Sequence, residues 1–508
     1  MYFLGLDIGT TGSKSVIFSE DGHVVAKAYR EYTLYHREPH LSELNPEEVW
    51  AAIREVLRES IKRANVDSDR IEALSASVLG EAFVPVTKHG EPLYWSMTTF
   101  DARAVRQTRW WEENFGAEAM YEVTGQPLSG AIPIYTLPKI QWMRENEPET
   151  FSKTWKFLCW GGYLNLKLTG RAVTDRSVAT RTMLFDIRRN EWAGDILGLA
   201  GLDEAVLPEV KPSGRVVGEV TREASRETGL AAGTLVVTGG HDQPSGALGA
   251  GMVEEGALMD STGTVECYGA VQDRLVLDDG MRRQGFAVHS HVIEDKYFMF
   301  GFTPTGGAVL RWFRDNFGYE ERMEAEKRGM DAYDILTLEA SRATAPSLFL
   351  FPYFEGSGTP AWDRRARGAL VGLTLSSTKG DVIRAILEGI TFELRRNVEA
   401  IERYGIRLTE IRAVGGASRS PFWLQLKADV TGKEILAPEA RMEAAALGVA
   451  ILAAKGAGVH RDVHEAVRRM CRIAERYEPD AKAKGIYDEK YGNYLRLYSA
   501  VARMFGQR

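Results

Sequence analysis

The chain has 508 residues, too many for one hydrophobic core and enough for two sizeable domains. Its 44% hydrophobic, 26% charged and 10% aromatic residues are ordinary for a soluble globular protein. Lys and Arg number 63 against 70 Asp and Glu, a net charge of −7, which argues against a nucleic-acid partner.

In chain order, residues 2–8 (YFLGLDI) predict a mostly apolar strand, GTTG a tight turn and SKSVIFS a returning strand. Asp21-Gly22 marks a hairpin into a third strand, HVVAKAYREY, so the opening is an antiparallel meander. With no basic n-region, no long apolar stretch and an Asp at position 7, this start is not a signal peptide. Asn45-Pro46-Glu47-Glu48 supplies an N-cap, a proline at the first helical position and first-turn acids. Trp50, Ile53, Leu57 and Ile61 then share one helical face. RIEALSASVLG reads as a strand and residues 101–115 as a helix. TLVVTGG reads as a buried strand ending at Gly239-Gly240, and the small residues of PSGALGAGM suit a closely packed helix starting at Pro244.

GALMDSTGTVECYGAV then repeats the opening: an apolar strand, an Asp, a Thr/Gly turn and a returning strand. Residues 7–14 and 260–266 are therefore read as an internal duplication, the other reading being two glycine-rich hairpins that match by chance. A strand (KYFMFGFT), a helix beginning near Thr305 and a strand (LFLFPYFEG) follow. Thr378 and Asp381 form a capping-box pattern before the amphipathic helix DVIRAILEGITFELRRNVEAI. IRAVGGAS, KEILAP and an alanine-rich helix over residues 441–457 complete a mixed α/β unit. No low-complexity linker intervenes, so the halves should pack directly and leave a cleft, where ligands favour binding.

Several chemistries are excluded. There is no G-x-x-x-x-G-K-S/T, no G-x-G-x-x-G opening a helix, no H-E-x-x-H and no G-x-S-x-G. Cys159, Cys267 and Cys471 lie far apart without a C-x-x-C pair, which disfavours disulfides or zinc and suits a reducing cytoplasm. No run approaches the roughly 18 apolar residues of a membrane span, so no membrane partner is expected.

What remains is a set of Gly/Thr turns beside carboxylates. In Asp7-Ile8-Gly9-Thr10-Thr11-Gly12-Ser13-Lys14 the glycines allow a tight turn whose N–H groups can converge on phosphate oxygens. The hydroxyls of Thr10 and Thr11 add donors, Lys14 a positive charge, and Asp7 a carboxylate that can hold magnesium through water. A capped hairpin with a solvent-facing lysine is the plainer alternative. Thr262-Gly263-Thr264 offers a second such turn. Asp242, after Gly239-Gly240-His241, fits two roles equally: a helix N-cap, or a carboxylate facing the cleft. His241 reads as a structural neighbour.

These residues converge on a family. The chain resembles the FGGY carbohydrate kinases over essentially its full length. The most specific stretch is Gly368-Ala369-Leu370-Val371-Gly372-Leu373, then Asp381-Val382 and Ala385-Ile386-Leu387-Glu388, which is similar to the family's C-terminal signature. Thr136, Lys139, Ile140, Trp142, Met143, Glu145 and Asn146 nearly meet the N-terminal one, with Ile134 outside the usual set at its first position. Leu168-Thr169-Gly170, Thr174-Asp175 and Ser177 also match a family stretch, although Trp160-Gly161-Gly162 departs from the usual Asp-Tyr.

The resemblance implies an α/β fold of two actin-like, ribonuclease-H-type domains, residues 1–248 and 249–508, with ATP and sugar in the cleft between them. It implies that Asp7, Thr10, Thr11 and Lys14, with Thr262, Gly263 and Thr264, hold the phosphates of ATP. It puts Gly306, Gly307, Gly415, Gly416, Ala417 and Ser418 beside the nucleotide, where a side chain would obstruct adenosine. Asp242 falls on the catalytic aspartate, and Asp7 and Asp242 on a water-mediated Mg²⁺ site. Gly80, Glu81, Asp101, Arg103, Asp242 and Gln243 fall at the sugar end, with an ordinary surface ion pair as the alternative for Asp101 and Arg103. The Arg-Glu and Met-His pairs that mark glycerol and xylulose specificity are both missing at Gly80-Glu81.

The expected partner is a small sugar or polyol, foremost a ketopentose such as xylulose or ribulose. Four- to six-carbon polyols (glycerol, erythritol), deoxyketoses and aldonic acids are the alternatives. An actin-like or chaperone-type ATPase without a sugar substrate shares the duplicated fold and is the reading from another class. The Trp110-Trp111 segment fits either core or an interface, so a homodimer is left open.

Overall fold

The computed structural model describes residues 1–129, 133–343 and 347–505. In the first half, β1 (Tyr2–Ile8) turns through Gly9, whose N–H donates to the Gly12 carbonyl at 3.0 Å, into β2 (Gly12–Ser19). Gly22, at φ +82°, then turns the chain into β3 (Val24–Glu31), a backbone angle that side chains with a Cβ resist. Helix α1 (Pro46–Ala64) starts where the Asn45 side chain accepts from the Glu47 N–H and buries Trp50, Ile53 and Leu57. Next come β4 (Ile71–Val78), α2 (Arg176–Arg181), β5 (Val216–Glu219), β6 (Leu235–His241) and α3 (Asp242–Gly249). The sheet order is β5-β6-β4-β1-β2-β3, with β1 antiparallel to β2 and β1, β4 and β6 mutually parallel.

The second half repeats this plan. Its main elements are β7 (Ala257–Thr262), β8 (Glu266–Gln272), β9 (Ala287–Ser290), β10 (Tyr297–Thr303), α4 (Gly307–Phe317) and α5 (Ala332–Arg342). They continue with α6 (Lys379–Arg403), β11 (Glu410–Val414), α7 (Pro421–Thr431), β12 (Glu434–Pro438), α8 (Ala444–Gly456) and β13 (Ile473–Tyr477). The order is β9-β10-β8-β7-β11-β12-β13, with β7 antiparallel to β8 and parallel to β11, and β12 parallel to β11. Thus β7, β8, β11 and β12 occupy the positions of β1, β2, β4 and β6, and α8 follows β12 as α3 follows β6. Both halves have the actin-like arrangement, and the similarity of the two Thr/Gly turns is topological.

The two equivalent helices meet back to back. A Cβ on Gly249 of α3 would lie 1.8 Å from the Ala444 carbonyl oxygen, and one on Gly448 of α8 would lie 1.9 Å from that of Ser245. Gly5 of β1 is as close to α8, its Cβ falling 2.0 Å from the Ala446 oxygen. Helix α8 is apolar on all sides because it is enclosed: it packs with Phe3, Val16, Phe18 and Val237 of the first sheet. Gly448→Val drives two backbones apart and is expected to cost about 3 kcal/mol or more. For a chain of 508 residues that lowers the melting temperature by roughly 3 °C, which calorimetry measures.

Some local expectations shift. Helix α8 begins at Ala444 because residues 438–443 form turns, with Arg441 N–H donating to Pro438 O and Glu443 N–H to Ala440 O. Helix α3 begins at Asp242 itself, two residues before Pro244. The Thr378-Asp381 capping box forms as predicted. Trp111 is fully buried, with the Trp110 and Phe115 rings 5.2 and 6.0 Å away, so this segment belongs to the core. Among the described residues, no helix is long and apolar enough to cross a membrane.

Candidate functional site

The second Thr/Gly turn opens onto a cavity of ≈ 250 Å³ whose lining includes Thr262, Gly263, Thr264, Gly307, Gly416 and Ala417. The remaining predicted residues stand directly behind it. Gly306 N–H donates to Thr264 O at 3.0 Å, Ser418 Oγ donates to Gly415 O at 2.6 Å, and Gly415 has φ +81° with Thr262 O where its Cβ would point. A Cβ on Gly307 would meet Gly263 O at 2.6 Å, so glycine there lets α4 approach the turn. The lining also includes Arg311 from α4, Tyr333 and Thr337 from α5, and Trp423 from α7, none of which carries a sequence motif. The cavity is lined by small residues, the aromatic Tyr333 and Trp423 and the charged Arg311, Asp331, Asp334 and Arg419, and one side of it is the backbone-rich turn. A backbone-rich turn at such a cavity is able to receive phosphate oxygens.

The first turn is built differently. Asp7 and Lys14 pair across β1 and β2. Lys14 Nζ is 2.7 Å from Glu443 Oε2 and 3.1 Å from the Met442 carbonyl, and Lys27 holds the other Glu443 oxygen at 2.9 Å. The solvent-facing lysine of the plain hairpin reading is thus tied to the opposite half. Tyr32 pins the turn, its hydroxyl donating to Gly9 O and its N–H to Thr11 O, with Thr11 exposed and Thr10 half-buried.

Asp242 opens α3, whose N-cap is His241, and no side chain caps that helix. The N-cap reading of Asp242 is therefore removed. Its Oδ1 is buried, accepts no hydrogen bond and lies 3.1 Å from His241 Nε2. His241 is held neutral, its pKa well below the usual range, by burial and then by Arg181. Burial pushes the Asp242 carboxyl up to about 7, repulsion from Asp7 adds to this, and Gln243 and Arg181 oppose it. Asp7 is raised as well, first by burial, with Lys14 pulling the other way. Two mutually repelling carboxylates, one with an orphaned oxygen, fit a divalent cation that prefers oxygen ligands. Among the described residues no three His, Cys, Asp or Glu side chains converge, so water and ligand oxygens would complete its shell.

Among the residues expected to meet a sugar, Glu81 is 2% exposed, pairs with Arg181 and accepts the Thr99 hydroxyl at 2.8 Å. Arg181 also donates to Gln126 Oε1 at 2.7 Å and lies 3.2 Å from His289 Nε2 on β9, so this one side chain spans both halves. Gly80 is small because a Cβ there would approach His241 Cδ2 to 2.9 Å. Beside Asp242, Gln243 Oε1 and His241 Nδ1 are also buried without hydrogen-bond partners. Asp101 and Arg103 do form an ion pair, but a buried one and not the surface pair of the alternative reading. Asp101 is fully buried, accepts the Ser42 N–H at 2.8 Å and binds Arg103 at 2.7 Å, while Arg103 also reaches Glu43 at 2.6 Å and stacks 4.8 Å from the Trp142 ring centre. They form a closed scaffold under the Thr99 loop. Arg181, Gln126 and His289 escaped sequence reasoning; Asp175-Arg176-Ser177 preceding Arg181 was the only local signal.

Comparison with known proteins agrees with this geometry. Family models described as the N-terminal and C-terminal domains of the FGGY family of carbohydrate kinases match residues 2–249 and 258–457. The chain is 30% identical over 498 residues to a xylulose kinase of Bacillus subtilis, covering 98% of this chain and 97% of that one. It is 31% identical over 482 residues to a gluconokinase of the same organism, covering 94% and 92%. Its fold is similar to the crystal structure of a xylulose kinase from Rhodospirillum rubrum, with TM-score 0.86, 27% identity and all of both chains covered.

Proposed function

Because the chain belongs to the FGGY family of carbohydrate kinases, we propose that it moves the γ-phosphoryl group of ATP to a hydroxyl of a ketopentose such as xylulose or ribulose. The observation that carries this reading is Asp242 at the start of α3, whose Oδ1 is buried and accepts no hydrogen bond. In this mechanism Asp242 accepts the hydrogen of the attacking hydroxyl, aligns it with the phosphorus and takes its proton late. Gln243 Oε1 and His241 Nδ1 bond neighbouring sugar hydroxyls. The Thr264 N–H on the turn Thr262-Gly263-Thr264, whose Gly263 N–H closes the turn on Val265 O, and the N–H groups of the turn at Thr10-Thr11 hold phosphate oxygens, with Lys14 balancing their charge. Mg²⁺, held through water by Asp7 and Asp242, would supply further charge neutralisation when bound. Asp101 and Arg103 act indirectly, by fixing Thr99 against Glu81. Closure of the two domains, residues 1–248 and 249–508, over both substrates would exclude water. Three free cysteines, two of them buried, support a cytoplasmic location.

Substrate charge separates the candidates. Arg181, the cation that acts on Asp242, is already matched by Glu81, so an uncharged ketose or polyol suits this end better than an aldonic acid. The test is ADP release across a panel of ketopentoses, deoxyketoses, glycerol, erythritol and gluconate. A ketopentose is expected to give the highest kcat/KM; gluconate as best substrate would overturn the ketopentose assignment while leaving the kinase assignment standing. The pH profile follows from Asp242. With both substrates below saturation, kcat/KM is expected to fall tenfold per unit below about pH 7, because only the carboxylate form accepts the proton. A flat profile to pH 5.5 would contradict it.

A further inference from the structure

Beneath the second phosphate turn lies a buried charge cluster with no part in the transfer chemistry above. Lys427 on α7 is 2% exposed, donates to Thr262 Oγ1 at 2.7 Å and to Glu266 Oε1 at 3.1 Å, and also binds Asp260 Oδ2. The single Thr262 hydroxyl proton is shared between Asp260 Oδ1 and Glu266 Oε1, each 3.1 Å away. Tyr268 donates to Glu266 Oε2 at 2.8 Å and meets Thr303 Oγ1 of β10 at 3.0 Å. The Thr262 side chain therefore faces inward, and the turn offers its backbone to the cavity.

The charges here do not balance. Asp260 on β7 and Glu266 on β8 are both fully buried and face one ammonium, with only the neutral Tyr268 and Thr303 beside them. Burial pushes the thiol of the next residue, Cys267, up and so keeps it neutral, with Asp242, Glu266 and Asp260 adding to this. Burial holds Glu266 above the usual carboxylate range, and Asp260 adds to this against the pull of Lys427. One unmatched negative charge thus sits directly under a turn shaped for phosphate. Phosphate oxygens arriving there repel it, and a proton from solvent removes the repulsion.

Resting on the reading that donor phosphates lie on Thr262-Gly263-Thr264, we propose that Lys427 positions this turn and that donor binding is coupled to proton uptake by Glu266. Calorimetric titration of ADP into the full-length protein, without sugar, at pH 7.5 in buffers of different ionisation heat measures the uptake. Glu266→Gln keeps the shape, leaves Asp260 matched to Lys427, and is expected to take up roughly half a proton less per nucleotide than the unaltered protein. The protonation of ADP itself is common to both proteins and cancels. Lys427→Met is expected to weaken ADP binding about tenfold while leaving KM for the sugar unchanged. Equal uptake in Glu266→Gln and the unaltered protein would overturn the coupling alone. Failure of the unaltered protein to bind ADP would overturn the nucleotide reading and the proposal with it. If Glu266→Gln does not fold, Asp242→Asn serves: uptake that survives there supports the coupling, and its complete loss overturns it.

Discussion

Asp242→Asn is expected to lower kcat by about 10²–10⁴-fold while leaving nucleotide affinity unchanged. The substitution keeps the shape of the side chain and its place at the first position of α3. What it removes is the acceptor of the substrate proton. It also removes a repulsion. The folded-state pKa of Asp242 lies above the ordinary carboxylate value, so its charged form destabilises the fold above that pKa, and the contribution improves as pH falls towards the unfolded value. The Asn variant should therefore melt no lower than the unaltered protein at pH 8. A dead variant that also melts early would point to damage and not to lost chemistry. Turnover within a few-fold of the unaltered enzyme would remove Asp242 from the mechanism.

Arg181→Met should be the most damaging substitution to the structure of the site. It leaves Glu81 buried without its cation, and breaking a buried pair by removing one partner costs about 3–5 kcal/mol. It also removes a charge that lowers the Asp242 pKa, so the acid limb of kcat/KM should move to higher pH. Adding Glu81→Gln removes the stranded carboxylate and should recover much of the stability, but not the position of the limb. The two readouts, melting temperature and pH profile, thus separate the structural role of Arg181 from its electrostatic one. An unshifted limb in both variants would show that Arg181 does not tune Asp242.

The parts of this site that were legible in the sequence are those set by backbone demands. Gly263, Gly307 and Gly415 stand where the chain turns sharply or passes close to another backbone, and such positions leave a mark on local sequence. Asp242 was visible because it ends a buried strand, although its choice between cap and base needed the observation that α3 has no side-chain cap. The strand meander, the α1 cap and the α6 capping box are likewise local. The duplication was only hinted at by two turns, because its evidence is the strand order, which no local pattern encodes. The sugar end was least legible. Arg103 meets Glu43 from 60 residues away, and Arg181 meets His289 from 108, so partnership there is decided by packing alone. Asp101 and Arg103 look like exposed binding groups in sequence because their partners are remote. The solvent-facing alternative for Lys14 stayed open for the same reason, its partner Glu443 lying 429 residues along the chain.

The central claim is transfer of phosphate from ATP to a sugar hydroxyl at Asp242. Phosphorus NMR of the protein incubated with ATP, Mg²⁺ and xylulose tests it most directly. The account predicts one sugar phosphate monoester for each ADP formed, with no such product from the Asp242→Asn variant. ADP accompanied only by inorganic phosphate, at a rate independent of every sugar supplied, would contradict it.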